Sequence, residues 1–232
     1  MTVRVGVVAD SHVGEYLPAL PEGVREALDG CDLILHAGDL SVPSVLDDLA
    51  AIAPVAAVRG DHDRLGGLEL PETLVVAVAG HRIGMVHGRR ARPIDASIVA
   101  AHVVAGRRIR YSARMHRWLL RRLGPVDCAV YGHWHDPAIA RVGGALCFSP
   151  GAVCPFGNME GGRPPRPGLV GVGDRGVYRF RCQLGEEACR PSVGILEVGS
   201  GGIRPRIVSL APPPGAAPAG DPQPSEPRGA RP

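Results

Sequence analysis

A layered α/β sandwich is the fold this chain predicts, and three features of the sequence predict it. Short apolar, β-branched runs recur along the chain, and five of them end in a compact polar cluster. Segments of helical periodicity separate many of those runs. Near the C-terminal end, two further apolar runs flank a glycine-rich turn and read as closing antiparallel strands. Alternating strands and helices bury best as sheets covered by helical layers.

The elements follow in order. Val3 to Val8 is a strand that leads to Asp10. A helix from Pro21 to Leu28 stops at Gly30, and strand Leu33 to Ala37 leads to Asp39. A helix from Pro43 to Ala51 follows, with Ser41 as its expected cap and Val45, Leu46 and Leu49 on its apolar side. Strand Val55 to Val58 leads to Asp61. Leu74 to Ala79 and Arg82 to Val86 form a hairpin around Gly80 and His81, and its second arm ends at His87. Ile94 to Ala105 repeats apolar residues at Ile94, Ile98 and Ala101, then stops at Gly106. Ser112 caps a helix that runs to Leu123, with Met115, Trp118, Leu119 and Leu123 inward and Gly124-Pro125 ending it. Strand Cys128 to Tyr131 leads to His133. Val193 to Val198 and Ile203 to Leu210 close the fold. A loop at Gly161 to Pro165 and an apolar stretch at Gly168 to Cys182 have no assigned pairing. Beyond residue 210, Pro, Gly and Ala dominate, and a disordered tail over 211–232 is expected.

The polar clusters carry the chemistry. They are Asp10-Ser11-His12, Gly38-Asp39, Gly60-Asp61-His62-Asp63, His87-Gly88 and Gly132-His133-Trp134-His135. A lone Asp at a strand end usually caps a turn, and a lone His is more often satisfied core. Five such clusters past five buried strands are another matter. They place carboxylates and imidazoles where a sheet ends and a cleft opens. That inventory suits a pair of divalent cations with one bridging carboxylate. His36 and His81 read as support and as a turn residue, not as ligands.

In these ordered motifs the chain resembles the calcineurin-like metallophosphoesterase superfamily, and within it the small phosphodiesterases, over about residues 1 to 210. The resemblance implies an αββα sandwich with two central mixed sheets flanked by helices. It implies Asp10, His12 and His135 as ligands of one metal, Asp61, His87 and His133 as ligands of a second, and Asp39 as the bridge. The family's late Asn-Pro-Gly-Ser is matched only as Ser149-Pro150-Gly151-Ala152, which is expected to shape the cleft floor. Segments at about 89–124 and 155–190 depart from the family pattern. The expected activity is hydrolysis of a small organic or nucleotide phosphodiester by a hydroxide activated between two metals. His62 is the expected general acid, with Asp63 orienting it or raising its pKa. The alternatives are a phosphomonoesterase or nucleotide phosphatase, and a scaffold like a related retromer subunit, a state marked by loss of metal histidines that are all present here. Mixed imidazole and carboxylate ligands favour Mn2+, with Fe, Zn2+ or Ni2+ as alternatives, over ions that prefer all-oxygen shells. Asp61 stands where the family has a neutral Asn. It lowers the site's charge by one unit and is expected to bias the site against monoester dianions.

Composition agrees. The chain has 232 residues and is 45% hydrophobic, enough for one substantial core. No secretory signal and no membrane-spanning apolar run are visible. The six cysteines form no Cys-x-x-Cys pair and read as reduced thiols in a cytoplasmic protein, a Cys147–Cys154 or Cys182–Cys189 bridge being the lesser alternative. All 26 basic residues are arginine, and the net charge of +3 argues little about partners. Residues 89 to 122 hold ten arginines against one acid, Asp95. A basic rim that steers a phosphorylated substrate and a solvated helix face bearing Arg114, Arg117 and Arg121 are the two readings. Without a stacking platform, nucleic acid is not favoured as a partner. The expected partner is a small phosphorylated substrate.

Phosphoesterase activity is expected to vanish after exhaustive chelation and to return more fully with Mn2+ than with Mg2+. Undiminished turnover in metal-free protein, checked by elemental analysis, would exclude a metal-dependent reaction.

Overall fold

The computed structural model describes residues 1–63, 68–107, 110–154 and 190–210. The loop at 161–165, the stretch at 168–182, Cys182, Cys189 and the tail from 211 lie outside the described residues. Among the described residues, ten strands form two five-stranded sheets. In the first sheet, β1 (Val3–Val8), β2 (Leu33–His36) and β3 (Val55–Ala57) run parallel, with β9 (Ser192–Gly199) antiparallel to β1 and β10 (Gly202–Ser209) antiparallel to β9. In the second, β5 (His81–Val86), β6 (Cys128–Val130) and β8 (Ala145–Ser149) run parallel, with β4 (Thr73–Val78) and β7 (Ala138–Val142) antiparallel at the edges.

Strand alternation sorts the side chains into layers. Val5 and Val7 of β1 join Leu35, Ile83, Met85, Val130, Leu146, Phe148 and Leu196 in the core between the two sheets. Val8 turns the other way, onto Val24 and Leu28 of α1 (Glu22–Leu28) and Val45 and Leu49 of α2 (Ser44–Ala50). Gly6 sits on that same face, where a Cβ would come 2.6 Å from Leu28 Cδ2. On the far side, Leu119 and Leu123 of α4 (Ala113–Leu123) cover Ala129, Tyr131 and Cys147. The order is helices, sheet, sheet, helix, which is the αββα sandwich expected. Cys31, Cys128, Cys147 and Cys154 are buried thiols and not disulfides.

Three local expectations are corrected. Ser41 does not cap α2, whose N-cap is Pro43; its backbone is left-handed (φ 72°) and its amide donates to Asp63 Oδ1 at 2.8 Å. His81 is the first residue of β5, not a turn residue, and the turn is Ala79-Gly80. The third concerns α3 (Arg92–Val104), expected to bury Ile94, Ile98 and Ala101. Its only buried residue is Asp95, while Ile94 is 47% and Val104 89% exposed. Polar anchoring of its first turn, described below, holds this helix in place of apolar packing. The cap of α4 is as expected: Ser112 Oγ accepts from the Met115 amide at 3.3 Å.

Phe148 fills the sheet-to-sheet core against Gly194, where any Cβ would collide with the ring. Phe148→Ala is expected to cost about 3–5 kcal/mol of unfolding free energy. Urea denaturation of metal-free protein measures it, and a loss below about 1 kcal/mol would mean the layer collapses around the gap.

Candidate metal centre

The parallel triple β1-β2-β3 and the parallel triple β5-β6-β8 both end at one edge of the sandwich. The loops after those strand ends carry the five polar clusters. Residues Val8, His36 and Ala57 are in register, as are Met85, Val130 and Phe148, so the clusters emerge side by side. Hydrogen bonds then stitch the two edges together. The His133 amide donates to the Asp10 carboxylate at 3.1 Å, and His87 Nδ1 donates to Ala37 O at 2.9 Å. Val153 N and Cys154 N donate to Ala9 O and Asp10 O at 3.1 and 3.0 Å, so the chain after Ser149-Pro150-Gly151-Ala152 backs Asp10 from behind.

Two donor sets result. Asp10, His12 and His135 form one: His12 Nε2 and His135 Nε2 are 3.4 Å apart, and His135 Nε2 is 3.4 Å from Asp10 Oδ1. Asp61, His87 and His133 form the other. Asp39 lies between them, with Oδ2 3.8 Å from His12 Nε2 and 3.1 Å from His87 Nε2. Every residue expected to bind metal is therefore in one cluster. Five of the seven non-glycine residues with positive φ among the described residues are Asp10, His12, Asp39, His133 and His135. Each such backbone costs on the order of 1 kcal/mol or more and persists where surrounding structure holds it, as at binding sites. Gly38 is required here: its φ is 96°, and a Cβ would sit 2.8 Å from His87 Nδ1.

The donor chemistry fits divalent cations. His12 Nδ1 and His87 Nε2 are buried and each faces a carboxylate oxygen, Glu15 Oε2 at 3.5 Å and Asp39 Oδ2 at 3.1 Å, with no other hydrogen-bond partner, an arrangement that suits an ion. Burial alone would raise the Asp10 and Asp39 carboxyls, yet His135 and His87 respectively hold both below the usual range. Burial likewise pushes His87 down, but the Asp39 carboxylate overrides it and lifts the imidazole to about 10. A cluster that binds protons this tightly without a cation is one that a cation would neutralise. His36 goes the other way: burial lowers it to about 4, and the neutral ring bonds Ser11 Oγ at 2.7 Å and accepts from the Gly38 amide at 3.2 Å. It supports two strand ends, as expected.

His62 and Asp63 behave differently from the expectation. Asp63 is fully buried, and its oxygens accept the backbone amides of Asp39 (2.9 Å), Ser41 (2.8 Å) and Gly60 (2.7 Å). It shapes the Asp39 loop, and the carboxylate on His62 is Glu15, 2.5 Å from Nδ1. Burial tends to raise Glu15, but hydrogen bonds and charge from His12 and His62 hold it far below its usual value. Sequence reasoning missed Glu15, although it lies one turn after His12. It also missed Asp95 as a site residue. Asp95 accepts from Arg90 N and Nε at 3.0 and 3.1 Å and bonds His133 Nε2 at 3.1 Å, fixing that ring from behind. Being the one acid in an arginine-rich stretch was its signal. The Asp61 charge is not left bare either, because Arg89 Nη1 pairs with its Oδ1. That cation offsets the repulsion expected from replacing Asn. Tyr111, also unforeseen, donates to Gly132 O and accepts from Trp134 N at 3.1 Å, bracing the His133 loop.

The model of the calcineurin-like phosphoesterase superfamily domain matches residues 3–163. A probable metallophosphoesterase of Methanothermobacter thermautotrophicus is 32% identical over 148 residues, covering 64% of this chain and 76% of the relative. One from Methanocaldococcus jannaschii is 30% identical over 154 residues, covering 65% and 68%. Among solved structures, a Vps29 single mutant from Entamoeba histolytica superimposes with TM-score 0.57 at 20% identity, covering 90% of this chain and all of that one. A novel archaeal phosphodiesterase gives 0.52 at 17% identity, covering 90% of this chain and all of that one. At those identities the structural matches speak to fold. No described helix is long and apolar enough to cross a membrane.

Asp63→Ala strands three amides and is expected to cost roughly 3 kcal/mol of stability. It should also weaken metal retention, because the Asp39 loop loses its support. Chemical denaturation together with equilibrium dialysis checks both. A variant of native stability and native metal content would show that the loop is held by other contacts.

Proposed function

The chain belongs to the calcineurin-like phosphoesterase superfamily, and we propose that it is a dinuclear metal-dependent phosphodiesterase acting on a small phosphorylated substrate. The observation that carries this reading is the position of Asp39 between two three-residue donor sets. Asp10, His12 and His135 would hold one ion, Asp61, His87 and His133 the other, and Asp39 both. Mn2+ is the ion the mixed donor set favours, with Fe, Zn2+ and Ni2+ as alternatives. When bound, such a pair of ions activates water near neutral pH and offsets charge on the phosphate oxygens.

The chain's own residues supply the rest. His87 Nδ1 is committed to Ala37 O, which leaves Nε2 as its ligating nitrogen. Asp95 does the same for His133 by engaging Nε2, so Nδ1 faces Asp61. In the hydrolysis, water adds to phosphorus, the ester P–O bond breaks, and the departing alkoxide takes a proton. His62 is the donor: its amide is tied to Asp39 Oδ1 at 2.9 Å, beside the bridge. Glu15 holds Nδ1, so the proton is delivered from Nε2. The Arg89–Asp61 pair keeps anionic substrates admissible at the second ion. Retention of every donor histidine favours catalysis over a scaffold role, and monoesters are the alternative substrate class. The buried cysteine thiols accord with a cytoplasmic setting.

The metal-loaded protein is expected to cleave bis-p-nitrophenyl phosphate with a higher kcat/KM than p-nitrophenyl phosphate; the reverse order would move the assignment to a monoesterase. His62→Ala should slow an alkyl diester by on the order of a hundredfold while sparing aryl esters, whose leaving group needs no proton. Equal losses on both would reduce His62 to loop support.

A further inference from the structure

A cleft of about 290 Å3 opens directly beside the second donor set, near the lower end of the range for small-ligand sites. Asp61 and His87 form part of its wall, so the cleft is continuous with the position where a scissile phosphate would sit. Its described lining contains five arginines, at 59, 89, 90, 92 and 122, against two carboxylates, Asp61 and Glu72. These arginines come from four separate parts of the fold: the end of β3, the loop after β5, the start of α3 and the last turn of α4. Two of them are spent on the site itself, Arg89 on Asp61 and Arg90 on Asp95. Arg59 and Arg122 are aimed at one oxyanion. Arg59 Nη2 lies 2.8 Å from Glu72 Oε1, and Arg122 Nη2 lies 2.6 Å from Glu72 Oε2. Glu72 is half exposed, so a pair of guanidiniums gripping it stands open to solvent and to an incoming anion.

We propose that this cleft is a second phosphate site, and that the substrates are phosphate esters carrying another phosphate, held by Arg59, Arg92 and Arg122 while the scissile group lies on the metals. The inference rests on the phosphoesterase reading of the metal centre. Guanidinium forks match phosphate oxygens bidentately, and a dianion outcompetes a single carboxylate for two of them. The described lining has no Phe, Tyr or Trp, so the site recognises the anionic group and not a base. Arg114, Arg117 and Arg121, which the sequence singled out as a rim, do not line the cleft.

The test is calorimetric titration of the full chain, freed of metal by chelation and dialysis, with thymidine 3′,5′-bisphosphate and thymidine 5′-monophosphate. The bisphosphate is expected to bind about tenfold tighter or more, the worth of one good charge-assisted contact. In Arg92→Gln/Arg122→Gln the gap should shrink to about threefold or less. In the control Arg114→Gln/Arg117→Gln it should persist. Equal binding of the two ligands by the unaltered chain overturns the proposal. So does a gap that survives in the cleft variant, or one that falls as far in the control, which would make it a long-range charge effect. With metals restored, the p-nitrophenyl ester of thymidine 5′-phosphate should be cleaved about tenfold less efficiently than the same ester bearing a 3′-phosphate. Equal efficiencies overturn the subsite and leave the phosphoesterase reading standing. Failure to cleave either ester sinks that reading, and the metal-free titration still decides whether the cleft prefers the second phosphate.

Discussion

Burying carboxylates at the ends of a sheet is expensive, since an ion removed from water must recover its hydration from fixed partners. Asp10 and Asp63 are wholly buried here and Asp39 nearly so. Their partners come from both halves of the sandwich. Asp63 takes three amides of the first sheet's loops, Asp10 takes the His133 amide from the second, and Asp39 faces His87, also from the second. Satisfying these anions and docking the two sheets are therefore one problem. The left-handed backbones at five site residues are tolerated because that shared network leaves them little alternative.

The same network divides the buried histidines into two kinds. His36, where burial outweighs the pull of Asp63, Asp10 and Asp39, stays neutral and bonds a hydroxyl and an amide. His87, against Asp39, is drawn toward the charged form. Both are buried, so the difference lies in direct contact: His87 Nε2 meets a carboxylate at 3.1 Å, whereas His36 meets a hydroxyl and an amide. A cation entering the cluster would displace that proton, which makes loading the site with metal and emptying it of protons a single equilibrium.

Polar contacts also decide where the arginine-rich stretch goes. An apolar stripe ought to have laid α3 on the sheet, yet Ile94 and Val104 face solvent. Asp95, bonded to Arg90 and His133, ties the first turn of the helix to the donor cluster. The loop from His87 into α3 thereby becomes one wall of the cleft, and Arg89 comes to rest on Asp61.

Eight of the ten described strands and the seven residues of the donor cluster were legible in the sequence because each is a local signal; β7 and β8 were not read as strands, and the order of strands within each sheet came only with the structure. An apolar run makes a strand, and the polar residues just past it stand at the sheet's edge whatever the rest of the chain does. Ser41 as a cap, His81 as a turn and the apolar face of α3 were local readings too, and they failed where a distant group offered a better partner. Asp63 shows the limit most clearly. Next to His62 in the chain, it serves amides that lie 22 and 24 residues away as well as one three residues away. Glu15 on His62, Asp95 on His133, Arg89 on Asp61 and the Arg59–Glu72–Arg122 bridge join residues from 13 to 50 positions apart. By itself the sequence determined the layers and which side chains meet at their edge, since periodicity and strand ends are properties of neighbours along the chain. Only the tertiary structure decided which charge neutralises which, because Coulomb and hydrogen-bond energies depend on separation in space, and that is set by how the two sheets dock.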